Sequence, residues 1–303
     1  MNNWQEKARE ELAGLKLSFD KPMAELTTFK IGGPVDLLVE PNNPVELEKI
    51  LDFCLVNNLP WLLIGSGSNL LVRDGGIRGV GIKLSGEFNE WKTDGTMVKA
   101  GAAVSLAKLA KGTAELGLSG LEFACGIPGT VGGGVYMNAG AYSGEISQIV
   151  TRVQAVKEGK GRFWFDKADL NLGYRFSRFQ REKDSIITKV EFSLKRERAE
   201  LTQARVAELT SLRESKQPLE MPSAGSVFRR PEGYYVGPLI EEAGLKGFTI
   251  GGAQVSLKHA GFIVNIGSAT AHDVLSLIEH IRKVIKERNG VDLRPEIKVV
   301  GVD

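Results

Sequence analysis

Apolar residues along the chain change rhythm often enough to define elements. Leu37-Leu38-Val39 is a short continuous apolar run ended by Pro41, which predicts a buried strand. Asn43-Pro44-Val45-Glu46 then supplies a helix start: an Asn N-cap, Pro at the first helical position and Glu at the third. Leu47, Ile50, Leu51 and Cys54 follow at helical spacing. Trp61-Leu62-Leu63-Ile64 reads as a second strand that runs into Gly65-Ser66-Gly67-Ser68-Asn69 and back into Leu70-Leu71-Val72. Residues 79–84 make a further strand. Met97–Ala100 and a helix capped by Ser105, bearing Leu106, Leu109 and Ala110, form another strand–helix unit. Residues 120–145 read as a long glycine-dense loop. Beyond it, Val150–Val156 and Arg162–Phe165 flank Glu158-Gly159-Lys160-Gly161, a hairpin signature. Val190, Phe192 and Leu194 alternate as in a strand.

The pattern changes at 195–215, which is charged, glycine-free and helix-favouring. A domain boundary is expected at its start. There follow a Gly/Pro/Ser turn at 222–226, a helix ending at Gly244, and two apolar strands around 248–266. A helix from a Thr270 N-cap carries Asp273 in its first turn, then Val274, Ile278, Ile281 and Ile285, and stops at Gly290. Residues 297–302 close the chain as a strand. No internal repeat is visible.

Composition removes whole classes of function. Lys+Arg number 39 and Asp+Glu 37, a net charge of +2. Phosphate neutralisation needs a concentrated basic face, so nucleic acid is not expected as a partner. Two Cys exclude a disulfide framework; Cys54 on an apolar stripe and Cys125 in a glycine loop suit a reducing compartment. Three His and two Cys leave little for a metal site, and none is expected. The N-terminus lacks an apolar h-region and no apolar run approaches 18 residues, so neither a signal peptide nor a membrane span is expected. The expected location is cytoplasmic, and no obligate protein partner is evident. Glycine, 36 of 303 residues, exceeds the usual share of roughly 7 % and is clustered.

The clusters are the candidate chemistry. In Ile64-Gly65-Ser66-Gly67-Ser68-Asn69-Leu70 the third fingerprint glycine is missing and a strand follows, so this is neither a Rossmann turn nor a P-loop. It is either a nest of backbone N–H groups able to hold a pyrophosphate or a tight turn that binds nothing. Gly126-Ile127-Pro128-Gly129-Thr130-Val131-Gly132-Gly133-Gly134, continued by Asn138-Ala139-Gly140, offers a side-chain-free surface. Ile127, Val131, Val135 and Met137 argue against a solvated linker. Two such clusters on consecutive units suggest one bipartite ligand site.

Together with Thr28-Phe29-Lys30-Ile31-Gly32-Gly33, these clusters resemble the FAD-binding domain of the vanillyl-alcohol-oxidase-like flavoproteins. Tyr174-Arg175-Phe176-Ser177, Ala224-Gly225-Ser226-Val227-Phe228 and Leu293-Arg294-Pro295-Glu296 extend the likeness from about Leu26 to Val300. Over that span the chain is similar to the family of UDP-N-acetylenolpyruvoylglucosamine reductases. The resemblance implies an α+β fold: a two-lobed FAD-binding domain, 1–80 and 81–198, and a smaller α+β substrate-binding domain, 199–303. It implies bound FAD, NADPH as co-substrate, and the enolpyruvyl ether of UDP-N-acetylglucosamine as substrate, reduced to UDP-N-acetylmuramate for peptidoglycan. FAD contacts are expected from Ile64 to Leu70, from Gly126 to Thr130, and at Gly132, Gly133, Asn138, Ala139 and Gly140.

Three residues are expected to be catalytic. Arg175 is either a surface guanidinium stacked on Tyr174 or Phe176, or the group that pairs with a substrate carboxylate and steadies charge developing there. Ser226 is either a turn hydroxyl or a proton donor. The second role requires a strongly basic enolate as acceptor, because a Ser hydroxyl is a weak acid. Glu296 is either an exposed strand-end carboxylate or, by the resemblance, a partner of Arg175 in stabilising the enolate. Tyr174, Lys216, Gly225, Arg230 and His259 are the expected substrate contacts; the resemblance assigns Lys216 to the diphosphate and His259 to the carboxylate region. His272 and His280 read as solvated, and Cys125 as packing. The segment between Arg175 and Lys216 is short and lacks Tyr, which marks a shorter subtype. Two alternatives stay open: another oxidase of the same superfamily, and a nucleotide-binding protein without catalysis.

Overall fold

The computed structural model describes residues 3–303. Seven α-helices occur among them: α1 Asn3–Glu11, α2 Pro44–Val56, α3 Leu106–Glu115, α4 Val131–Tyr136, α5 Ala199–Lys216, α6 Val236–Glu242 and α7 Ala271–Asn289. The chain divides into two compact units. Among the described residues, one comprises 3–18, 37–65 and 80–213; the other comprises 19–36, 66–79 and 214–303. A four-stranded sheet runs in the order Lys16–Pro22, Pro34–Glu40, Ile77–Ile82, Trp61–Leu63.

The first unit is organised by a five-stranded sheet ordered Gly161–Asp166, Val150–Lys157, Ser185–Ser193, Met97–Gly101, Trp91–Asp94. The expected hairpin forms with Val153 opposite Phe165. The Ser105 hydroxyl accepts from the Lys108 amide at 3.3 Å, and Asn43 Oδ1 from the Glu46 amide at 3.0 Å, so both expected caps form. Charged helix α5 docks its first four turns onto this unit. The buried Thr202 hydroxyl donates to the Ala114 carbonyl at 2.6 Å, and Arg205 pairs with Glu197 at 2.7 Å and Glu122 at 3.2 Å.

Residues 120–145 are more ordered than the expected loop. They hold a short 3₁₀ turn at Glu122–Ala124, helix α4, and a two-residue hairpin of Gly140–Ala141 with Gly144–Glu145. Glycine is a poor helix former, so α4 owes its existence to packing rather than propensity. A Cβ on Gly132 would meet Ala102 Cβ at 2.9 Å, and one on Gly134 would meet Leu106 Cδ2 at 3.0 Å. Two of the three glycines thus let a helix lie directly on the segment entering α3.

The second unit carries a four-stranded antiparallel sheet ordered Ser223–Ser226, Phe262–Asn265, Ala253–Val255, Thr249–Ile250. The expected turn at 222–226 is therefore a strand, bulged between Ser223 and Ser226, with Gly225 at φ +79°. A bulge tolerates the Gly and Ser that read as turn residues. The apolar region 248–266 forms three strands rather than two. Helix α7 forms as expected, with a reciprocal Thr270/Asp273 capping box and Gly290 at φ +70°. Its face of Val274, Ile278, Ile281 and Ile285 joins Phe29, Ile31, Leu71, Phe228, Val255 and Leu293 in one core. Leu70–Val72 pairs in parallel with Lys298–Val300. His280 is not simply solvated; its ring stacks on Phe248 at 4.4 Å.

One contact has no local signature. Asp74 accepts from the first two amides of α7, Ala271 at 2.8 Å and His272 at 3.1 Å. Those amides have no partner within the helix, and a carboxylate there also meets the positive end of the macrodipole. Asp74→Ala is expected to lower stability by about 1–2 kcal/mol, as loss of an N-cap does. A shift in denaturant midpoint with unchanged slope checks it.

Candidate active site

Gly65 of the first glycine cluster and Thr130 of the second meet within the first unit. Thr130, the N-cap of α4, accepts from the Gly133 amide at 3.2 Å. Its Oγ1 would lie 3.1 Å from a Cβ placed on Gly65. Any other residue at 65 must push Thr130 aside. Ile64 below it is buried, and its amide donates to the Ile82 carbonyl at 2.8 Å, which fixes the end of the strand. Ala139 donates to Gly134 at 2.8 Å and continues the same small surface.

Asn138 is held differently from its expected role as a ligand contact. It is 1 % exposed and left-handed, with φ +41°. Its Oδ1 accepts from the Ser147 amide at 2.9 Å and its Nδ2 donates to the Gly173 carbonyl at 3.0 Å. The side chain thereby ties the second cluster to the turn bearing Tyr174 and Arg175. That turn is closed by reciprocal bonds between Gly173 and Phe176, 3.0 and 3.1 Å. Arg175 sits in it at φ +53°, a conformation that non-glycine residues rarely adopt. Its Nη2 donates to the Gly140 carbonyl at 3.2 Å, and its guanidinium lies 5.4 Å from the ring centre of Tyr174. Tyr174 is exposed.

Arg213, near the end of α5, was not among the expected site residues. Its Nε is buried and makes no hydrogen bond. Its Cδ occupies the space that a Gly126 side chain would need. Burial pushes its guanidinium below the usual range, against the pull of Tyr142 and Cys125. A buried donor without a partner costs free energy, which an anionic group beside Gly126 would offset. Nothing local distinguishes Arg213 among the many charges of α5; only the packed helix reveals it. Cys125 packs as expected, with Sγ 3.7 Å from the Val206 carbonyl and 3.6 Å from Thr210 Oγ1.

The second unit gathers Gly225, Ser226, His259 and Glu296. Ser226 ends its strand, and its Oγ reaches the Phe228 carbonyl at 3.4 Å. A Cβ on Gly261 would lie 3.8 Å from Ser226 Oγ and 3.1 Å from His259 Nδ1, so hydroxyl and imidazole approach the same point. His259 Nδ1 accepts from the Gly261 amide at 3.0 Å. The Glu296 amide donates to the Val227 carbonyl at 2.7 Å, one residue beyond Ser226. Asn69, in the first cluster, donates from Nδ2 to the Glu296 carbonyl at 3.4 Å. Glu296 is thereby anchored on both sides of its backbone. Gly67 of that cluster, at φ +63°, runs so close to Leu26 and Thr27 that only glycine fits. Lys216 is exposed at the end of α5. Arg230 is exposed, with its guanidinium 3.9 Å from the Tyr235 ring centre and Nε bonded to the Tyr234 carbonyl at 3.3 Å.

Comparison with known proteins gives this arrangement its class. Residues 35–164 match the FAD binding domain family, and residues 217–300 match the C-terminal domain of UDP-N-acetylenolpyruvoylglucosamine reductase. The protein is an FAD-containing oxidoreductase. Over 288 residues it is 49 % identical to the UDP-N-acetylenolpyruvoylglucosamine reductase of Clostridium beijerinckii, covering 95 % of this chain and 94 % of that one. A reductase of the same name from Caldanaerobacter subterraneus subsp. tengcongensis is 46 % identical over 296 residues, 98 % and 97 % of the two chains. The crystal structure of the Thermus caldophilus enzyme superposes with a TM-score of 0.81 at 35 % identity, covering 94 % of this chain and 98 % of that one. The chain belongs to the UDP-N-acetylenolpyruvoylglucosamine reductase family. Among the described residues, no helix is long and apolar enough to cross a membrane.

The packing of α4 makes a direct prediction. Gly132→Ala adds a methyl that meets Ala102 Cβ, and the resulting overpacking is expected to cost about 1–3 kcal/mol, outweighing the gain of up to about 1 kcal/mol in helix propensity. Denaturant unfolding of the variant measures the balance.

Proposed function

We propose that this chain reduces the enolpyruvyl ether of UDP-N-acetylglucosamine to UDP-N-acetylmuramate, with NADPH as electron source, in peptidoglycan precursor synthesis in the cytoplasm. Family membership over nearly the whole chain supports the reaction. The observation that carries the residue roles is the backbone link between Ser226 and Glu296 through Val227. It holds a hydroxyl and a carboxylate, two groups that the chemistry requires, in fixed relation.

FAD, when bound, supplies the hydride that NADPH has delivered to it. In this reading lobes 1–80 and 81–198 hold the cofactor, helped by Arg213 of α5, and the rest of 199–303 holds the substrate. The glycine surfaces at 64–70 and at 126–130, 133 and 140 hold the cofactor, because backbone without side chains admits a flat or phosphorylated group closely. Arg213 supplies a positive charge to its phosphates. Hydride addition at the terminal carbon of the enolpyruvyl group leaves negative charge spread towards the substrate carboxylate. Arg175 pairs with that carboxylate in the bidentate manner open to a guanidinium. Glu296 acts with Arg175 on the same intermediate. Ser226 gives its proton to the adjacent carbon, which the enolate makes basic enough to accept from a hydroxyl. Tyr174, Gly225 and Arg230 contact the substrate, and Lys216 its diphosphate. The protein's contribution is thus orientation and electrostatics.

Ser226→Ala tests the reading directly. Under anaerobic conditions the flavin absorbance of the variant is expected to bleach with NADPH at the ordinary rate. Its return on adding the enolpyruvyl sugar is expected to slow by about 10²–10⁴-fold, the usual range for loss of a general acid. An unchanged return rate makes Ser226 a strand residue only. Arg213→Met addresses the cofactor site: FAD affinity, read by fluorescence on titrating the apoprotein, is expected to fall by roughly tenfold or more, since a charge-assisted hydrogen bond contributes about 1.5–3 kcal/mol.

A further inference from the structure

His259 stands at the head of a chain of three hydrogen bonds that passes through Val227, the neighbour of Ser226, and ends at Glu296. The Gly261 amide donates to His259 Nδ1 at 3.0 Å. The Gly261 carbonyl accepts from the Val227 amide at 3.0 Å, and the Val227 carbonyl accepts from the Glu296 amide at 2.7 Å. Val227 directly follows Ser226. One imidazole lone pair therefore fixes a glycine peptide, which fixes the valine on which Ser226 and Glu296 depend.

The ring is confined in that role. Gly237 of α6 and Gly261 lie against it; a Cβ on either would come within 3.3 and 3.0 Å of His259 Cε1. Phe262 meets it edge-on at 5.1 Å between ring centres. The backbone amides of Lys258 and His259 both donate to Ser256 Oγ, at 3.1 and 3.3 Å, which fixes the turn carrying the ring. With Nδ1 accepting, the neutral ring carries its proton on Nε2.

We propose that His259 is a positioning residue for proton delivery. Through Gly261 and Val227 it holds the backbone of Ser226 and Glu296 in register, and this hold requires the free lone pair on Nδ1. The proposal rests on the reading of Ser226 as donor and Glu296 as its companion.

Protonation of the ring puts N–H groups on both nitrogens, and Nδ1 can then no longer accept. The charged groups around His259 are Glu241 on α6, which favours protonation, and Lys246 beyond it, which opposes it; the two pair at 2.8 Å. Lys258 on the same turn pairs with Glu220 at 3.6 Å. Burial outweighs these, and also a hydrogen bond with the residue's own backbone that favours the protonated ring, and lowers the imidazole from its ordinary value of 6.5. Between 6.5 and that lowered value the unfolded chain binds more protons than the folded one. The stabilisation is therefore present above about pH 6.5 and is lost as pH falls through the window.

The test uses the full-length, flavin-loaded protein with His259→Leu and His259→Asn. Asn places a carbonyl oxygen near the position of Nδ1 and does not titrate. Three quantities are read: flavin reduction by NADPH, flavin return on adding the enolpyruvyl sugar, and hydrogen exchange at the Gly261 and Val227 amides. In His259→Leu the return is expected to slow by about 10–100-fold, as a small misplacement of reacting groups does. Reduction by NADPH is expected to keep its rate, and both amides to exchange at least about tenfold faster through local opening. His259→Asn is expected to restore rate and protection to within about threefold and to lose the acid limb expected of the unsubstituted protein where the buried imidazole, held below its ordinary value, takes up a proton.

Wild-type behaviour of His259→Leu in both return rate and exchange overturns the proposal. So does a His259→Asn protein with protected amides and a return as slow as that of His259→Leu, because the ring is then acting on the substrate itself. If His259→Leu fails to fold, His259→Asn alone decides by the same rate and acid limb. A normal return in Ser226→Ala, with the exchange results intact, overturns the donor reading alone.

Discussion

The parallel pairing of Leu70–Val72 with Lys298–Val300 is the contact on which the second unit's chemistry depends. Parallel strands cannot be joined by a tight turn, so this pair joins segments separated by more than two hundred residues. Each strand is entered from a candidate site residue. Asn69 leads into one and Glu296 into the other, and the Lys298 amide donates to the Asn69 carbonyl at 2.9 Å. The Asn69 side chain then reaches the Glu296 carbonyl. A residue of the first glycine cluster and a candidate catalytic carboxylate thus share one stretch of ladder. Backbone hydrogen bonds, reinforced by this one side-chain contact, set their separation.

Glycine has two distinct uses in this chain. At Gly65 its lack of a side chain keeps open the approach to Thr130. At Gly132 and Gly134 the same lack is filled by the protein itself, by Ala102 and Leu106. A glycine-dense stretch is therefore not uniformly a cradle. Gly133, between the packed pair, is exposed, and its amide is occupied by the Thr130 cap. The surface left for a ligand is narrower than the composition of residues 126–134 suggests.

What was legible in the sequence follows from the range of the forces involved. The caps at Asn43, Ser105 and Thr270 and the stop at Gly290 are decided within four residues, and they form as read. The apolar stripe of α7 is decided by a period of 3.6 and was equally clear. Helix α4 was not readable, because glycine disfavours the helix and the contacts that stabilise it lie some thirty residues upstream. The strand ending at Ser226 was hidden by its turn-like composition; its partner at Phe262 overrides that preference. Asp74, Arg213 and Val227 gave no signal at all. The first two act on groups distant in sequence, and the third acts through its backbone, which carries no residue-type signature. The glycine clusters and the Arg175, Ser226 and Glu296 motifs were visible as patterns. Their anchoring by Asn138, Asn69 and Gly261 was not.

The composition of the second unit's core has a consequence for synthesis on the ribosome. Phe29, Ile31 and Leu71 are buried in one core with residues 224–297. They emerge early, but the side chains that cover them are among the last to be made. At about 5–20 residues per second, that gap lasts on the order of ten seconds or more. During it, three large apolar groups and the unpaired strand Leu70–Val72 have no native partner within reach. The first unit has no such delay beyond residue 213, so it closes while the other waits. Phe29, Ile31 and Leu71 are therefore most exposed to misassembly until the residues between 224 and 297 emerge and complete a core whose first pieces were laid down long before.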